Sequence, residues 1–267
     1  MEKIYIVGKR SLIAKNLFNF FKNKKKKVSL IDYKDIKITK KKFIIINCSS
    51  KKNSKHDPIL DRDIKIINKI SKTNNSFYYI MLSTAKVYGG KKLIKKETLK
   101  CNPNSKYGKY RRKVEILLKQ KMKMKNFIIL RLTNLLNLDL RQKSNSKTFI
   151  NKMLRDLRYK NIIEIPKDKT IKDFIDQNSF HKIFDLLIKK KIIGTFNLSS
   201  GIPTSTDQIA KYIIKGYEKG SIVKNKSLIT DSFVLSSQKL NKYIKFKISK
   251  KKLNNEFINI GRNLRNV

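Results

Sequence analysis

Residues 3–21 read KIYIVGKRSLIAKNLFNFF. The first five are apolar or β-branched apart from Lys3, and they predict a buried strand. Gly8 marks a turn. Apolar residues then recur at Leu12, Ile13, Leu17, Phe18, Phe20 and Phe21, the spacing of one helix face. Further along, Val28 to Ile31 predicts a second short strand, ending at Asp32. Phe43 to Asn47 predicts a third, a continuous run of the kind that suits parallel strands covered on both faces. A helix is expected from about Asp57 to Lys72, a strand over Phe77 to Leu82, a helix over Tyr107 to Lys119 and a strand over Phe127 to Leu130. The order β-α-β-β-α-β-α-β is that of an open, doubly wound α/β sheet. Ligands in such sheets sit at the carboxyl ends of the strands, which here are Gly8, Asp32, Asn47, Ser83, Thr84 and Arg131. After about residue 138 the pattern loosens. A helix over Phe149 to Leu157, a short strand over Ile162 to Ile165 and a helix over Thr206 to Ile214, capped by Thr204, Ser205 or Thr206, are expected there.

The chain has 267 residues, 40% of them hydrophobic and 9% aromatic, enough for one large domain or a domain with a smaller companion. Its two cysteines, Cys48 and Cys101, exclude a disulfide scaffold. Apolar runs such as Phe43 to Ile46 fall far short of the roughly 20 residues of a membrane-crossing helix, and no membrane association is expected. The first residues read as a strand entering a turn instead of a signal peptide, so a reducing cytoplasm is the expected compartment. The formal net charge is +46, but 55 of the 65 basic residues are Lys and only ten are Arg. Alanine occurs three times and tryptophan not at all. Residues with AT-rich codons are abundant and those with GC-rich codons scarce, so the charge reads as codon drift on solvent positions. No specific nucleic-acid partner is expected, since sequence readers favour Arg for bidentate contacts. His56 and His181 lack partners at metal-ligand spacing, and no metal site is expected. Neither a P-loop lysine motif nor a nucleophile elbow is present.

Several segments, in order, resemble the extended short-chain dehydrogenase/reductase family of nucleotide-sugar epimerases, dehydratases and ketoreductases. Val7-Gly8-Lys9-Arg10-Ser11-Leu12-Ile13-Ala14 resembles its GxxGxxG turn, with Ser11 and Ala14 in place of the second and third glycines. Asp32 ends the second strand. Ile44-Ile45-Ile46-Asn47-Cys48-Ser49-Ser50 is similar to the strand that passes the adenine and ribose. Leu82-Ser83-Thr84-Ala85-Lys86-Val87-Tyr88-Gly89 resembles SSxxVYG. Tyr107-Gly108-Lys109-Tyr110-Arg111, with Glu115, resembles YGxSKxxxE, with Arg where the family has Lys. Leu130-Arg131-Leu132-Thr133-Asn134 resembles LRxxN, and Lys172-Asp173-Phe174-Ile175 resembles RDFI. Gly194 to Pro203 and Ser237 to Leu240 are similar to two later segments, so the likeness spans about 240 residues.

The resemblance implies a Rossmann-type sheet over 1–138 that binds NAD, with a return segment near 171–195, and a small substrate-binding domain in 139–267. It implies cofactor contacts at Gly8, Ser11, Leu12, Ile13, Asp32, Asn47, Cys48, Ser49 and Thr133, and substrate contacts at Lys86, Asn134 and Lys172. An acid at Asp32 accepts from ribose hydroxyls and repels a 2′-phosphate, which favours NAD over NADP. The implied catalytic residues are Thr84, Tyr107 and Arg111. Free tyrosine, with a pKa of about 10, is a poor base at neutral pH. Tyr107 and Arg111 stand at i and i+4 on one helix face. A lone cation at ~5 Å and an effective dielectric of ~20 favours the phenolate by roughly 3 kcal/mol. The implied substrate is a nucleotide-activated sugar, used in polysaccharide or glycan synthesis. The acid pair that serves elimination in 4,6-dehydratases is replaced by Ala85-Lys86, which points to 4-epimerisation or 4-keto reduction. A homodimer through two sheet-layer helices, one carrying Tyr107, is also implied. Two other readings stay open: a binding or regulatory protein that keeps the fold without turnover, and an RNA-associated Rossmann protein.

Overall fold

The computed structural model describes residues 2–36, 42–49, 62–73, 76–122, 126–136, 148–228 and 231–266. The chain opens with β1 (Lys3–Val7), α1 (Leu12–Asn23), β2 (Val28–Ile31), β3 (Phe43–Asn47), α2 (Arg62–Ser71) and β4 (Phe77–Thr84). It continues through the short β5 (Ile94–Lys95) to α3 (Lys106–Met122), β6 (Phe127–Leu132) and β7 (Asn134–Leu136). The second half brings α4 (Phe149–Lys160), β8 (Ile162–Pro166), β9 (Ile171–Lys172), β10 (Phe174–Asp176), α5 (Gln177–Lys190) and β11 (Gly194–Leu198). It closes with β12 (Thr204–Ser205), α6 (Thr206–Tyr217), β13 (Ser221–Asn225), β14 (Val234–Leu235), α7 (Gln238–Ile244) and α8 (Lys250–Arg265).

Six strands form one sheet in the order β11-β6-β4-β3-β1-β2, and every pairing in it is parallel. The sequence reason is the unbroken apolar character of the strands. Ile4, Ile6, Ile44, Ile46, Ile80, Leu82, Ile128 and Leu130 face α1, α5 and α7. The alternate residues Tyr5, Val7, Phe43, Ile45, Tyr79, Met81, Phe127 and Ile129 face α2 and α3. Both faces are thus covered, as a parallel sheet requires. The chain runs from β1 outward to β2 and then back to β3 on the other side. That reversal opens the crevice where such sheets bind ligands, at the carboxyl ends of β1 and β3.

A separate core is built from α4, α6, α8 and β8, with Leu157, Ile163, Ile213, Leu253 and Phe257 buried in it. The chain returns to the main sheet after this core begins. The return includes all of α5 and β11 to Leu198, and α7 packs on the same face through Leu240 and Ile244. The helix expected from Asp57 begins, within the described residues, at Arg62. Residues 57–61, Ser50, His56 and the 138/139 boundary lie outside them. Ser205 is the cap of α6, accepting from the Gln208 amide in a capping box. The long α8 has no counterpart among the expected elements. Its Lys- and Asn-rich run masks a stripe at Leu253, Phe257, Ile260 and Leu264. No helix among the described residues is long and apolar enough to cross a membrane.

His181, on α5, stacks on Phe20 of α1 at 4.8 Å. Burial lowers its pKa to about 4, against an opposing pull from Asp176. The unfolded chain therefore binds the proton more tightly, and stability falls as pH drops from about 6.5 towards 4. His181→Phe is expected to remove about 2 kcal/mol of that acid sensitivity, read from urea midpoints at pH 7 and pH 4.5. An unchanged pH slope would show that the imidazole titrates freely in the fold.

Candidate functional site

At the end of β1 the turn presses against β3. Gly8 has φ +124, and a Cβ there would lie 3.1 Å from the Cys48 carbonyl carbon and oxygen. Only glycine fits such a backbone without strain. Ser11, by contrast, has φ −81, so its position needs no glycine, and its hydroxyl caps α1 by accepting from the Ala14 amide. The first-turn amides of Leu12 and Ile13 have no partner within the helix and sit at its positive end. A bare Gly8 beside open amides is a cradle that fits a pyrophosphate. Asp32 follows β2 and accepts from the Lys34 amide at 3.3 Å. Its own amide donates to Asp35 at 3.4 Å, forming a capping box over the turn 33–35.

Asn47 and Ser49 are engaged inward. The Asn47 amide nitrogen donates to Asp63 at 2.5 Å and to the Tyr79 hydroxyl at 2.8 Å. Its oxygen accepts from the Ser49 amide and hydroxyl. These two side chains therefore fix the loop after β3. Burial, with the Asp63 charge behind it, pushes the Cys48 thiol far up, so it stays protonated.

Thr84 ends β4 and caps the 3-10 turn 85–87, its hydroxyl oxygen accepting from the Lys86 amide at 3.3 Å. Tyr107 stands in the first turn of α3. Next to Tyr107, Gly108 packs tightly on the main chain: a Cβ there would lie 2.3 Å from the Lys86 carbonyl oxygen. The start of α3 is thus laid directly on the segment that follows Thr84. Arg111, one turn on from Tyr107, is fully buried, at 0% exposure. Its guanidinium ion-pairs with Asp63 and donates to the Leu82 carbonyl. Burial alone would lower its pKa, and the Asp63 carboxylate more than offsets that, holding it above the ordinary value. The cation beneath Tyr107 is therefore half of an ion pair, not the lone charge that the spacing alone suggests. One turn further, Glu115 is also fully buried, at 0%. It accepts from Ser83 at 2.6 Å, from Arg131 at 2.8 and 3.1 Å and from Arg112 at 3.0 Å. Burial pushes this carboxyl up, and Arg131 pulls it below the usual carboxylate range. Arg131 also stacks on Tyr88, whose hydroxyl donates to Asn197 at 2.6 Å. Burial pushes the Tyr88 phenol up to about 12, which suits a structural tyrosine.

Thr133 and Asn134 both donate to the Asp173 main-chain carbonyl, at 2.8 and 2.9 Å. Burial pushes the Asp173 carboxyl up to about 7, although Leu235 and Ser200 donate to it. Lys172 lies beside it at 7% exposure, its ammonium on the Asp231 carbonyl oxygen at 2.5 Å. Burial, and then the charge of Lys86, lower the Lys172 pKa to about 8. Lys86 itself ion-pairs with the Asp231 carboxylate. A cavity of about 440 Å³ opens here, lined by Ala85, Lys86, Lys95, Ser105 and Asp231 among others. That volume is within the range of small-molecule sites. Asp63, Lys95 and Asp231 carried no signal in the sequence. A lone Asp or Lys in a lysine-rich chain shows its role only once its partner is placed.

A glycine turn over a helix start at the switch point of a parallel sheet defines a nucleotide-binding Rossmann fold. Residues 63–198 match the model of the NAD dependent epimerase/dehydratase family. The chain belongs to that family, whose cofactor is NAD, and the residues around Gly8 fit it. Solved structures agree on the fold. A UDP-N-acetylglucosamine 4-epimerase from Methanobrevibacter ruminantium M1, in complex with UDP-N-acetylmuramic acid, superposes with a TM-score of 0.80 at 16% identity, over 99% of this chain and 97% of the other. A dTDP-4-dehydrorhamnose reductase from Yersinia enterocolitica gives 0.74 at 16%, over 98% and 100%. RMD from Pseudomonas aeruginosa, complexed with NADPH, gives 0.77 at 14%, over 98% and 100%. No curated protein matches the sequence.

Removing one partner of the buried Asp63–Arg111 pair leaves an uncompensated charge. Asp63→Ala is expected to destabilise the fold by about 3–5 kcal/mol. The double variant Asp63→Leu with Arg111→Met is expected to recover most of that loss in chemical denaturation. Additive losses would show that the two side chains do not act as a pair.

Proposed function

We propose that the protein transfers a hydride between NAD and a carbon of a nucleotide-activated sugar, as a 4-epimerase or 4-keto reductase of polysaccharide or glycan synthesis. The observation that carries this reading is the close approach of Gly108 to the Lys86 carbonyl, which packs the first turn of α3, where Tyr107 stands, onto the segment that follows Thr84. Bound NAD supplies the hydride acceptor or donor. The turn at Gly8 and the amides of Leu12 and Ile13 hold its pyrophosphate, with Ser11 keeping the helix start in shape. Asp32 faces the adenosine ribose and favours NAD over NADP. Asn47, Cys48 and Ser49 shape the wall beside the adenine.

Thr84 already accepts from the Lys86 amide, so its own hydrogen is left to donate to a sugar oxygen. Tyr107 takes or returns the proton of the sugar hydroxyl. Arg111, balanced by Asp63, fixes the turn of α3 on which Tyr107 stands and lends part of a positive charge beneath it. Lys172 meets the diphosphate, placed by the grip of Thr133 and Asn134 on the Asp173 carbonyl. Lys86 borders the sugar. The acids that serve elimination are absent at Ala85 and Lys86, which supports epimerisation or reduction over dehydration. In this reading 1–138 with the return segment forms the cofactor domain, and the core of α4, α6 and α8 belongs to the substrate domain. The working form is a cytoplasmic homodimer joined through α3, where Ile116 is exposed at 41%.

Tyr107→Phe is expected to lower turnover of nucleotide sugars by about 10²–10⁴-fold, measured by NMR of the products, with NAD affinity by calorimetry unchanged. Equal turnover in the variant would remove Tyr107 from the chemistry. Absence of any NAD binding by the native chain would overturn the whole reading.

A further inference from the structure

The cavity beside Thr84 carries more positive charge than its own acids balance. Its wall holds three lysines, Lys86, Lys91 and Lys95, and one carboxylate, Asp231. Lys86 is paired with that carboxylate. Lys95 is the telling residue. It is only 5% exposed, yet its ammonium rests on two main-chain oxygens, those of Gly89 at 2.6 Å and Gly90 at 2.9 Å. No ion pair joins it to a carboxylate among the described residues. An ammonium has three hydrogens to donate, and two carbonyls account for two of them. Burial lowers the Lys95 pKa, and only the more distant charge of Asp231 pulls the other way. A buried cation without an anion is costly, and an anion arriving in the cavity removes that cost.

The place of the cavity says which part of a ligand lies in it. Ala85 follows Thr84 directly, and Ser105 stands two residues before Tyr107. Both Ala85 and Ser105 line the cavity, so in the nucleotide-sugar reading it is the sugar, not the base, that borders it. The diphosphate has its own cation in Lys172, bound to the main chain of Asp231.

We propose that the sugar accepted by this site is acidic, bearing a carboxylate that enters the cavity between Lys91 and Lys95. The inference rests on the nucleotide-sugar reading above and narrows it from sugars in general to uronic-acid-type sugars. Lys86 and Asp231, already paired, form the polar rim that excludes a second anion. Lys95 supplies the desolvated charge and Lys91 the exposed one.

Calorimetric titrations with UDP, UDP-glucose and UDP-glucuronate test it. UDP-glucuronate is expected to bind at least tenfold more tightly than UDP-glucose. Lys95→Met is expected to bring the two sugars within twofold of each other while UDP affinity holds. Lys91→Met, at an exposed position that does not threaten folding, is expected to narrow the gap two- to threefold. Equal affinity of the native chain for both sugars overturns the inference and leaves the nucleotide-sugar reading standing. A loss of UDP affinity in Lys91→Met as large as the loss for UDP-glucuronate also overturns it, because the lysines then hold the diphosphate. Failure of all three probes overturns the inference as stated for uridine nucleotide sugars, whereas the nucleotide-sugar reading itself falls only with the loss of NAD binding.

Discussion

One face of α3 is clamped into the protein by two buried ion pairs, and the site depends on that clamp. Tyr107, Arg111 and Glu115 follow one another at four-residue spacing. The first is half-buried, and the other two are sunk completely. Arg111 reaches across to Asp63 on α2 and to the main chain of β4. Glu115 gathers Ser83 from β4 and Arg131 from β6. The helix is thereby fixed in rotation and in height above the strand ends, and the tyrosine hydroxyl can stand only where its turn is held. Hydrophobic burial of Tyr110, Val114 and Leu118 attaches the helix to the sheet. The ion pairs add the direction that apolar contact alone does not supply.

The first half of the fold was legible because its information is local. A strand covered on both faces must be apolar throughout, and each such run from Ile4 to Leu130 announced itself. The glycine at position 8 was legible as a turn, and the structure shows that positions 11 and 14 hold their places in the fold without glycine. Ser11 occupies an ordinary extended conformation and caps its helix, while Ala14 is small enough to be buried under the sheet. The second half was less legible for the converse reason. α8 hides four core residues among lysines and asparagines, and β11 joins the main sheet from sixty residues beyond β6.

The site divides along the same line. Thr84, Tyr107 and Gly108 lie in recognisable segments, and Gly108 packs on the main chain two residues after Thr84. Asn47, Ser49, Thr133 and Asn134 lie in recognisable segments too, but their side chains hold main chain in place and face inward. Asp63 was invisible, because nothing in its neighbourhood foretells a partner 48 residues away. The bias towards lysine, which reads from the sequence as a property of the whole molecule, is mostly a property of its surface. At the two fully packed cationic positions, 111 and 131, the chain keeps arginine, whose planar fork can satisfy several acceptors at once. Lysine enters the interior chiefly at Lys95 and Lys172, both beside Asp231 and the cavity.

The pairing of Arg111 also bears on how this lineage can change. The guanidinium meets Asp63 with one nitrogen and the Leu82 carbonyl with another, a fixed fork that a lysine would have to replace with one ammonium. Restoring at position 111 the lysine that the resemblance leads one to expect would leave a buried acceptor short of its donor unless position 63 changed with it. Two residues on different helices thus act as one unit: a change at position 111 alters the charge balance at position 63, so the two positions are constrained together.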